Sequence, residues 1–440
     1  MTKADYPRWP VRVVINLSAY RQNLVNMRRF APHAQQMAIV KANAYGHGME
    51  RMALAALEAG VQWLGVAKSA EAYQLRQYLD SQGVARNHFS PTPTSAMMRS
   101  QLYQDAHHDL PTSRRPRILS WIYTPQTNLK SLIKSEIDLS VSTLDQLDQV
   151  SHAADATGLR ARIHLKIDTG LSRAGATSDE FPVLCKLARA RERSGLVEVS
   201  AVWSHLSSSD EGTEAAEDFT KAQLAAFAKA LEVAEETGLE PRLRHIAASG
   251  GIIWYPESHY DMVRVGIAGY GLSPNPQMAS APDLGLRPVM RIETDVMQVK
   301  RVPAGARASY GGEWEAPSER WLALLPIGYA DGIHRAAKNR GQVWINGRIA
   351  SVVGRIPMDQ IIVDLGPARD DQGVALSPPA AAGDRAVIFG DPNDEICRDF
   401  EASQPLPSAD DWAVNTDTIN YEVLTAVSNT APRYYIEDSR

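Results

Sequence analysis

The chain has 440 residues, 44% of them hydrophobic and 22% charged, a globular balance sufficient for one large domain or two ordinary ones. Its formal net charge of −5 gives no electrostatic reason to expect nucleic acid or an anionic membrane as a partner. No run approaches the roughly 18 apolar residues of a spanning helix, the start MTKADYPRWPVRVV lacks a signal-peptide core, and Cys185 and Cys397 make no disulfide framework, so a reducing cytoplasm is the expected compartment.

In chain order, VRVVINL (11–17) predicts a strand ahead of a first helix, SAYRQNLVNMRRF. Apolar, β-branched runs then recur: MAIVKA (37–42), WLGVAK (63–68), ILSWIY (118–123), DLSVST (138–143), IHLKID (163–168), VSAVWSH (199–205), LRHIAAS (243–249) and MVRVGI (262–267). Helical spacing lies between most of them, as in MERMALAALEAG, TLDQLDQVSHAADATG and FTKAQLAAFAKALEVAEETG, each closing on the Gly of a C-cap. Strand alternating with helix eight times predicts a closed (β/α)8 barrel. An open doubly wound sheet is the runner-up, but no strand runs into a G-x-G-x-x-G turn. After about residue 280 the texture becomes strand-like and Gly/Pro-broken, as in RWLALLPIGYADG and DRAVIFG. The expected organisation is a tail (1–10), a barrel (11–280) and a smaller β-rich domain (281–440), with strand 11–17 a candidate to pair with the latter. Residues 84–116 and 366–412 read as inserted surface loops. His107 and His108 in the first read as solvated residues and not as metal ligands, since no second cluster completes a site.

Barrels of this kind place chemistry at the C-terminal ends of their strands. There the first strand offers Lys41, followed by Tyr45. The third carries Trp121, the fifth Lys166, Asp168 and Arg173, and the sixth His205. The seventh ends on Ser249-Gly250-Gly251, and the eighth holds Arg264, Gly266 and Ile267. Taken singly, a strand-end Lys is a snorkelling residue and SGG a turn. Taken together, a reactive amine, two arginines, a histidine and a phosphate-sized set of hydroxyl and backbone donors converge on one rim. An amine opposite a phosphate site suggests a phosphorylated aldehyde held as a Schiff base, which is the chemistry of pyridoxal phosphate.

KANAYGHG resembles the cofactor-attachment motif of the alanine racemase family. HLKIDTGLSRAG, DMVRVGIAGYGL, ASYGGEW, LPIGYADG and IPMDQ resemble its other signature segments, in the family's order. The resemblance implies a pyridoxal 5'-phosphate-binding barrel followed by a β domain. It implies a homodimer with shared active sites that interconverts L- and D-alanine by a two-base mechanism and supplies D-alanine for peptidoglycan. Lys41 would be the Schiff-base lysine and Tyr310 the second base. Tyr45, Ser249, Gly266 and Ile267 would hold the phosphate, Arg264 would face the pyridine nitrogen with His205 behind it, and Trp121 would line the cofactor at a variable position. Arg173, Met358 and Asp359 would serve the substrate, and Lys166 stands where many members carry a carbamylated lysine that steadies the arginine. The chain departs from the pattern at Asn429, where many relatives have a Tyr beside the phosphate.

Three other readings are weighed. A non-catalytic pyridoxal-phosphate barrel protein would generally lack the β domain that carries Tyr310 and Met358. A decarboxylase of the same fold would place a cysteine in a matching segment, which Cys397 does not occupy. A racemase of another small amino acid, such as serine, stays open, because pocket dimensions decide it.

Overall fold

The computed structural model describes residues 9–84 and 116–438. Residues 85–115 of the first expected loop, His107 and His108 included, lie outside the described residues. The chain divides into two units. One takes in the chain up to Ala19, including strand β1 (Val11–Asn16), together with Tyr45–Gly48 and everything from Arg287 onward; the other comprises Tyr20–Ala44 and Met49–Leu286.

The eight apolar runs become eight parallel strands of the second unit: β2 (Gln35–Ile39), β3 (Trp63–Lys68), β4 (Arg117–Ile122), β5 (Ile137–Val141), β6 (Ala161–Lys166), β7 (Val197–Trp203), β8 (Leu243–His245) and β9 (Met262–Val265). Their order, β8-β7-β6-β5-β4-β3-β2-β9, is that of a barrel. The β8–β9 seam is bridged where Asp261 N–H donates to the Arg244 carbonyl and Arg264 N–H to that of Ala247, each at 3.1 Å. Helices between the strands bury one stripe each. In Glu214–Glu236 that stripe includes Ala216, Leu224, Phe227, Leu231 and Ala234. A fully buried side chain such as Phe227 contributes about 1.5–3 kcal/mol. Helix Leu144–Thr157 begins on Thr143, whose side chain accepts from Gln146 N–H, and stops at Gly158, which takes a left-handed φ of 63°.

The barrel interior departs from the usual packing of branched aliphatics. Strand register sets Ser140 beside His164, Lys166 beside Trp203, and Trp203 beside His245. With Asp138 and Arg264 these form a buried polar column.

The first unit is built on a nine-stranded sheet. Its later strands are β10 (Met290–Asp295), β11 (Gln298–Val302), β12 (Arg307–Ala308), β13 (Trp314–Glu315), β14 (Arg320–Leu325), β15 (Gln342–Ile345), β16 (Arg348–Val352), β17 (Ile361–Pro367), β18 (Arg385–Phe389) and β19 (Arg433–Ile436). The sheet order is β11-β14-β17-β16-β15-β18-β10-β1-β19, with β12 and β13 paired separately. Strand β1 thus lies between β10 and β19, antiparallel to one and parallel to the other. The reading of 366–412 as a surface loop throughout is corrected: β18 lies within it, interior to the sheet, and Ala386, Val387 and Ile388 are buried. DRAVIFG reads as a strand in its own right, and β18 is that strand; only its Pro- and Asp-rich flanks have the composition of surface loop. No helix among the described residues is long and apolar enough to cross a membrane.

Candidate active site

Lys41 follows the buried end of β2 at the start of an unusual turn. Ala42 (φ 53°, ψ 51°), Asn43 (53°, 43°) and Ala44 (54°, 54°) run consecutively in the left-handed helical region, and Tyr45 continues with φ 52°. Such backbone costs roughly 1–2 kcal/mol per non-glycine residue, so its surroundings must hold it. Ala44 N–H donates to the Val40 carbonyl at 2.9 Å, Ala42 N–H to Glu71 Oε1 at 2.7 Å, and Met49 N–H to Asn43 Oδ1 at 2.9 Å. The other Glu71 oxygen accepts from Lys68 N–H at 3.0 Å, which ties the turn to the end of β3. The turn throws the chain aside at Lys41. Burial lowers the amine's pKa, the charges of Arg173 and Arg264 lower it further, and Glu71 opposes them. A neutral, nucleophilic amine is thereby favoured.

Arg264, fully buried, shares the two N–H groups of one terminal nitrogen among the carbonyls of Ser204 (3.0 Å) and Ile246 (2.7 Å) and His205 Nδ1 (2.9 Å). Through the other it donates to His245 Nδ1 at 2.9 Å. Burial, then Arg173, lowers its pKa to about 9, which leaves it protonated at neutral pH. Burial and the charges of Arg264, Arg173, Lys166 and Lys41 hold His205 neutral. Lys166, at the end of β6, has its Nζ 4.6 Å from the centre of the Trp203 ring. Burial and the neighbouring Arg173 and Arg264 lower its pKa to about 8. Lys41, Lys166, Arg173 and Arg264 thus crowd one barrel mouth, an arrangement suited to anions.

Beside the ends of β8 and β9, Ser249 Oγ accepts from Gly266 N–H (3.2 Å) and Ala268 N–H (3.3 Å), with buried Ile267 between them. A Cβ on Gly250 would lie 2.9 Å from the Ser209 carbonyl oxygen, so this approach requires glycine. Trp121 ends β4 with its ring 6.1 Å from that of Trp203. Arg173 is exposed, on a loop shaped by Asp168, whose Oδ1 accepts from Gly170 and Ser172 N–H. Lys41, Trp121, Lys166, Arg173, His205, Ser249, Arg264, Gly266 and Ile267 all belong to the barrel unit.

The other expected residues belong to the sheet-based unit. Tyr45 is buried, its ring 6.1 Å from that of Tyr421, and burial raises its hydroxyl pKa. Tyr310 is 70% exposed on a turn entered through Ser309, which has φ 60° and donates through Oγ to the Arg355 carbonyl at 2.6 Å. Met358 is also exposed, at 53%, and its carbonyl accepts from Ala330 N–H at 2.9 Å. Asp359 beside it is exposed. Among the described residues no group of three or more His, Cys, Asp or Glu side chains gathers to hold a metal ion.

Several residues escape a reading of strand ends: Glu71 under the left-handed turn, and His245, His164, Asp138 and Trp203 along the barrel axis. Their signal is a polar or bulky residue embedded in apolar runs such as IHLKID and LRHIAAS, where an aliphatic would otherwise pack.

The chain matches the family model for the alanine racemase N-terminal domain over residues 15–274 and that for the C-terminal domain over 289–435. It is 38% identical to an alanine racemase of Frankia casuarinae over 423 residues, 96% of this chain and 95% of that protein. It is 39% identical to one of Salinispora arenicola over 428 residues, covering 97% and 98%. Among solved structures, the alanine racemase from D-cycloserine-producing Streptomyces lavendulae superposes with a TM-score of 0.82 at 39% identity, covering 98% of each chain. A catalytic fold of this kind, matched end to end, makes the chain a member of the alanine racemase family of isomerases.

Proposed function

We propose that the protein interconverts L- and D-alanine with pyridoxal phosphate as cofactor and two bases, one on each face of the substrate. The observation that carries this reading is the crowding of Lys41, Lys166, Arg173 and Arg264 at one barrel mouth, whose β8 and β9 strands lead into Ser249 and Gly266. The residues fit the cofactor: an amine with a lowered pKa for its aldehyde, and a hydroxyl with backbone N–H groups for its phosphate. When bound, pyridoxal phosphate draws electrons from the substrate Cα and so acidifies its proton.

Lys41 would hold the cofactor through its aldehyde, and its amine, when free, would move the Cα proton at Nζ on one face. Tyr310 moves it at the phenolic oxygen on the other. Ser249, Gly266, Ile267 and Tyr45 bind the phosphate, and Trp121 lines the ring. Arg264 would face the ring nitrogen of the bound cofactor. A guanidinium keeps its protons, so the ring nitrogen stays unprotonated and stray transamination is limited. His205 stands behind Arg264. Arg173, the backbone at Met358, and Asp359 receive the substrate, with Lys166 steadying Arg173. The exposure of Tyr310 and Met358 supports a homodimer in which these residues complete the barrel site of a second copy. Two reduced cysteines suit the cytoplasm, where the D-alanine would supply peptidoglycan.

Lys41→Ala tests the reading. We expect loss of racemisation and of the cofactor's long-wavelength absorbance. A borohydride-fixed cofactor on another lysine would overturn it. Assay of both alanine enantiomers beside serine decides the substrate.

A further inference from the structure

The barrel axis carries a hydrogen-bonded chain that the racemase reading leaves unused. At its far end Asp138 is fully buried between Arg117 and Arg162: its Oδ1 accepts from Arg117 Nε at 3.1 Å and from Arg162 Nε at 2.7 Å. Its Oδ2 lies 3.2 Å from His164 Nε2. His164 Nδ1 lies 3.1 Å from His245 Nε2, and His245 Nδ1 lies 2.9 Å from Arg264. Both histidines are fully buried and held neutral by burial.

Chemistry at the two ends dictates every proton in between. Asp138 is ionised: burial pushes its pKa up, but Arg117, Arg162 and the His164 bond outweigh this and hold it far below the usual range. A carboxylate can only accept, so His164 donates from Nε2 and its Nδ1 must accept. His245 therefore donates from Nε2 and accepts at Nδ1. A guanidinium can only donate, and that is what Arg264 presents to His245. The opposite His245 tautomer would set donor against donor at Arg264 and acceptor against acceptor at His164. Aromatic walls fix the rings: His245 stacks on Trp203 (5.3 Å, 18°), and His164 meets Trp63 edge-on (5.5 Å, 65°).

We propose that Asp138 and His164 are positioning residues: Arg264 fixes His245 as its Nε2–H tautomer, and the His164 acceptor, itself oriented by Asp138, holds that N–H and so sets the donor array that Arg264 offers to the cofactor ring. This rests on the reading that Arg264 faces the ring nitrogen. A merely structural polar core would need these groups satisfied, but would not couple their tautomers to the outcome of turnover.

The experiment is 15N NMR of the histidine side chains in the full-length holoenzyme, with His164→Gln and His164→Phe. The glutamine amide keeps one donor toward Asp138 and one acceptor toward His245, whereas phenylalanine keeps the ring shape and neither. We expect His245 protonated on Nε2 in the wild type and His164→Gln. In His164→Phe we expect that signal to shift, kcat to fall about tenfold with little change in KM, and pyruvate released per racemisation to rise. Wild-type His245 protonated on Nδ1, or on both nitrogens, overturns the proposal whether or not the variants fold. A His164→Phe enzyme with the wild-type His245 Nε2 resonance and pyruvate ratio overturns it too. Failure of the cofactor reading shows separately, as a Lys41→Ala enzyme that still holds and uses pyridoxal phosphate.

Discussion

At the scale of single residues, Lys166 is the most exposed to a test. Its amine is buried among Arg173 and Arg264, and its pKa falls from the ordinary 10.5 to about 8. Below about pH 8 it is protonated in both folded and unfolded chains, and folding bears the whole cost of burying the charge. Between about 8 and 10.5 the folded amine has already lost its proton while the unfolded one keeps it, so stability rises with pH across that window. Lys166→Met, measured in carbonate-free buffer, should therefore raise the unfolding free energy at neutral pH, by up to about 3 kcal/mol from a shift of this size, and Tm with it. The advantage should shrink toward pH 10.5, and an advantage independent of pH would refute the charge as its cause. The same neutral amine suits reaction with carbon dioxide. A carbamate, being negative, would turn crowding with Arg173 into attraction. With 13C-bicarbonate we expect a carbamate resonance that Lys166→Met abolishes; its absence from the wild type would exclude the modification.

At the scale of elements, the decisive feature is the left-handed turn after β2. Alanines at 42 and 44 keep its steric cost low, and Asn43 is a residue type that tolerates this region. Glu71 holds it by accepting two backbone N–H bonds, from Ala42 and Lys68, one on each carboxylate oxygen. Glu71→Gln can replace only one of them, since an amide nitrogen does not accept, and the loss should destabilise the protein by about 1 kcal/mol. The substitution also removes the charge that raises the Lys41 pKa. The pH dependence of pyridoxal phosphate recapture by cofactor-stripped enzyme should then move to lower pH. A shift upward, or none, would mean that Glu71 does not act on the amine.

For the whole molecule, the division of expected site residues between two units sets the question. Lys41 lies in the barrel unit, and the exposed Tyr310 and Met358 in the sheet-based unit. If a two-fold dimer builds each site from both copies, a Lys41→Ala chain and a Tyr310→Ala chain complement one another. In the mixed dimer one site carries both lesions and the other carries none. Random reassortment makes about half of the dimers mixed, each with one good site of two, so about a quarter of wild-type activity should return. Verified subunit exchange without recovery would assign both bases to one copy.

The sequence by itself determined the elements and the chemistry at their ends. Eight continuous β-branched runs separated by helical periods specify a parallel sheet, because only strands buried on both faces read that way, and their number points to a closed barrel. Chemical residues just beyond those runs fall on one rim for the same topological reason. KANAYGHG made Lys41 conspicuous, since a lysine rarely closes a buried run. Tertiary structure alone decided the rest. Four consecutive left-handed residues are not written in Ala-Asn-Ala-Tyr; they persist because Glu71, 29 residues beyond Ala42, accepts a bond there. From sequence, strand β1 is a candidate for the second domain, but that its partners are β10, antiparallel, and β19, parallel, is seen only in the sheet. The Asp138–His164–His245–Arg264 chain links four strands through the register of their neighbours. Register between distant strands follows from how they pack together, and no local pattern in the chain encodes it.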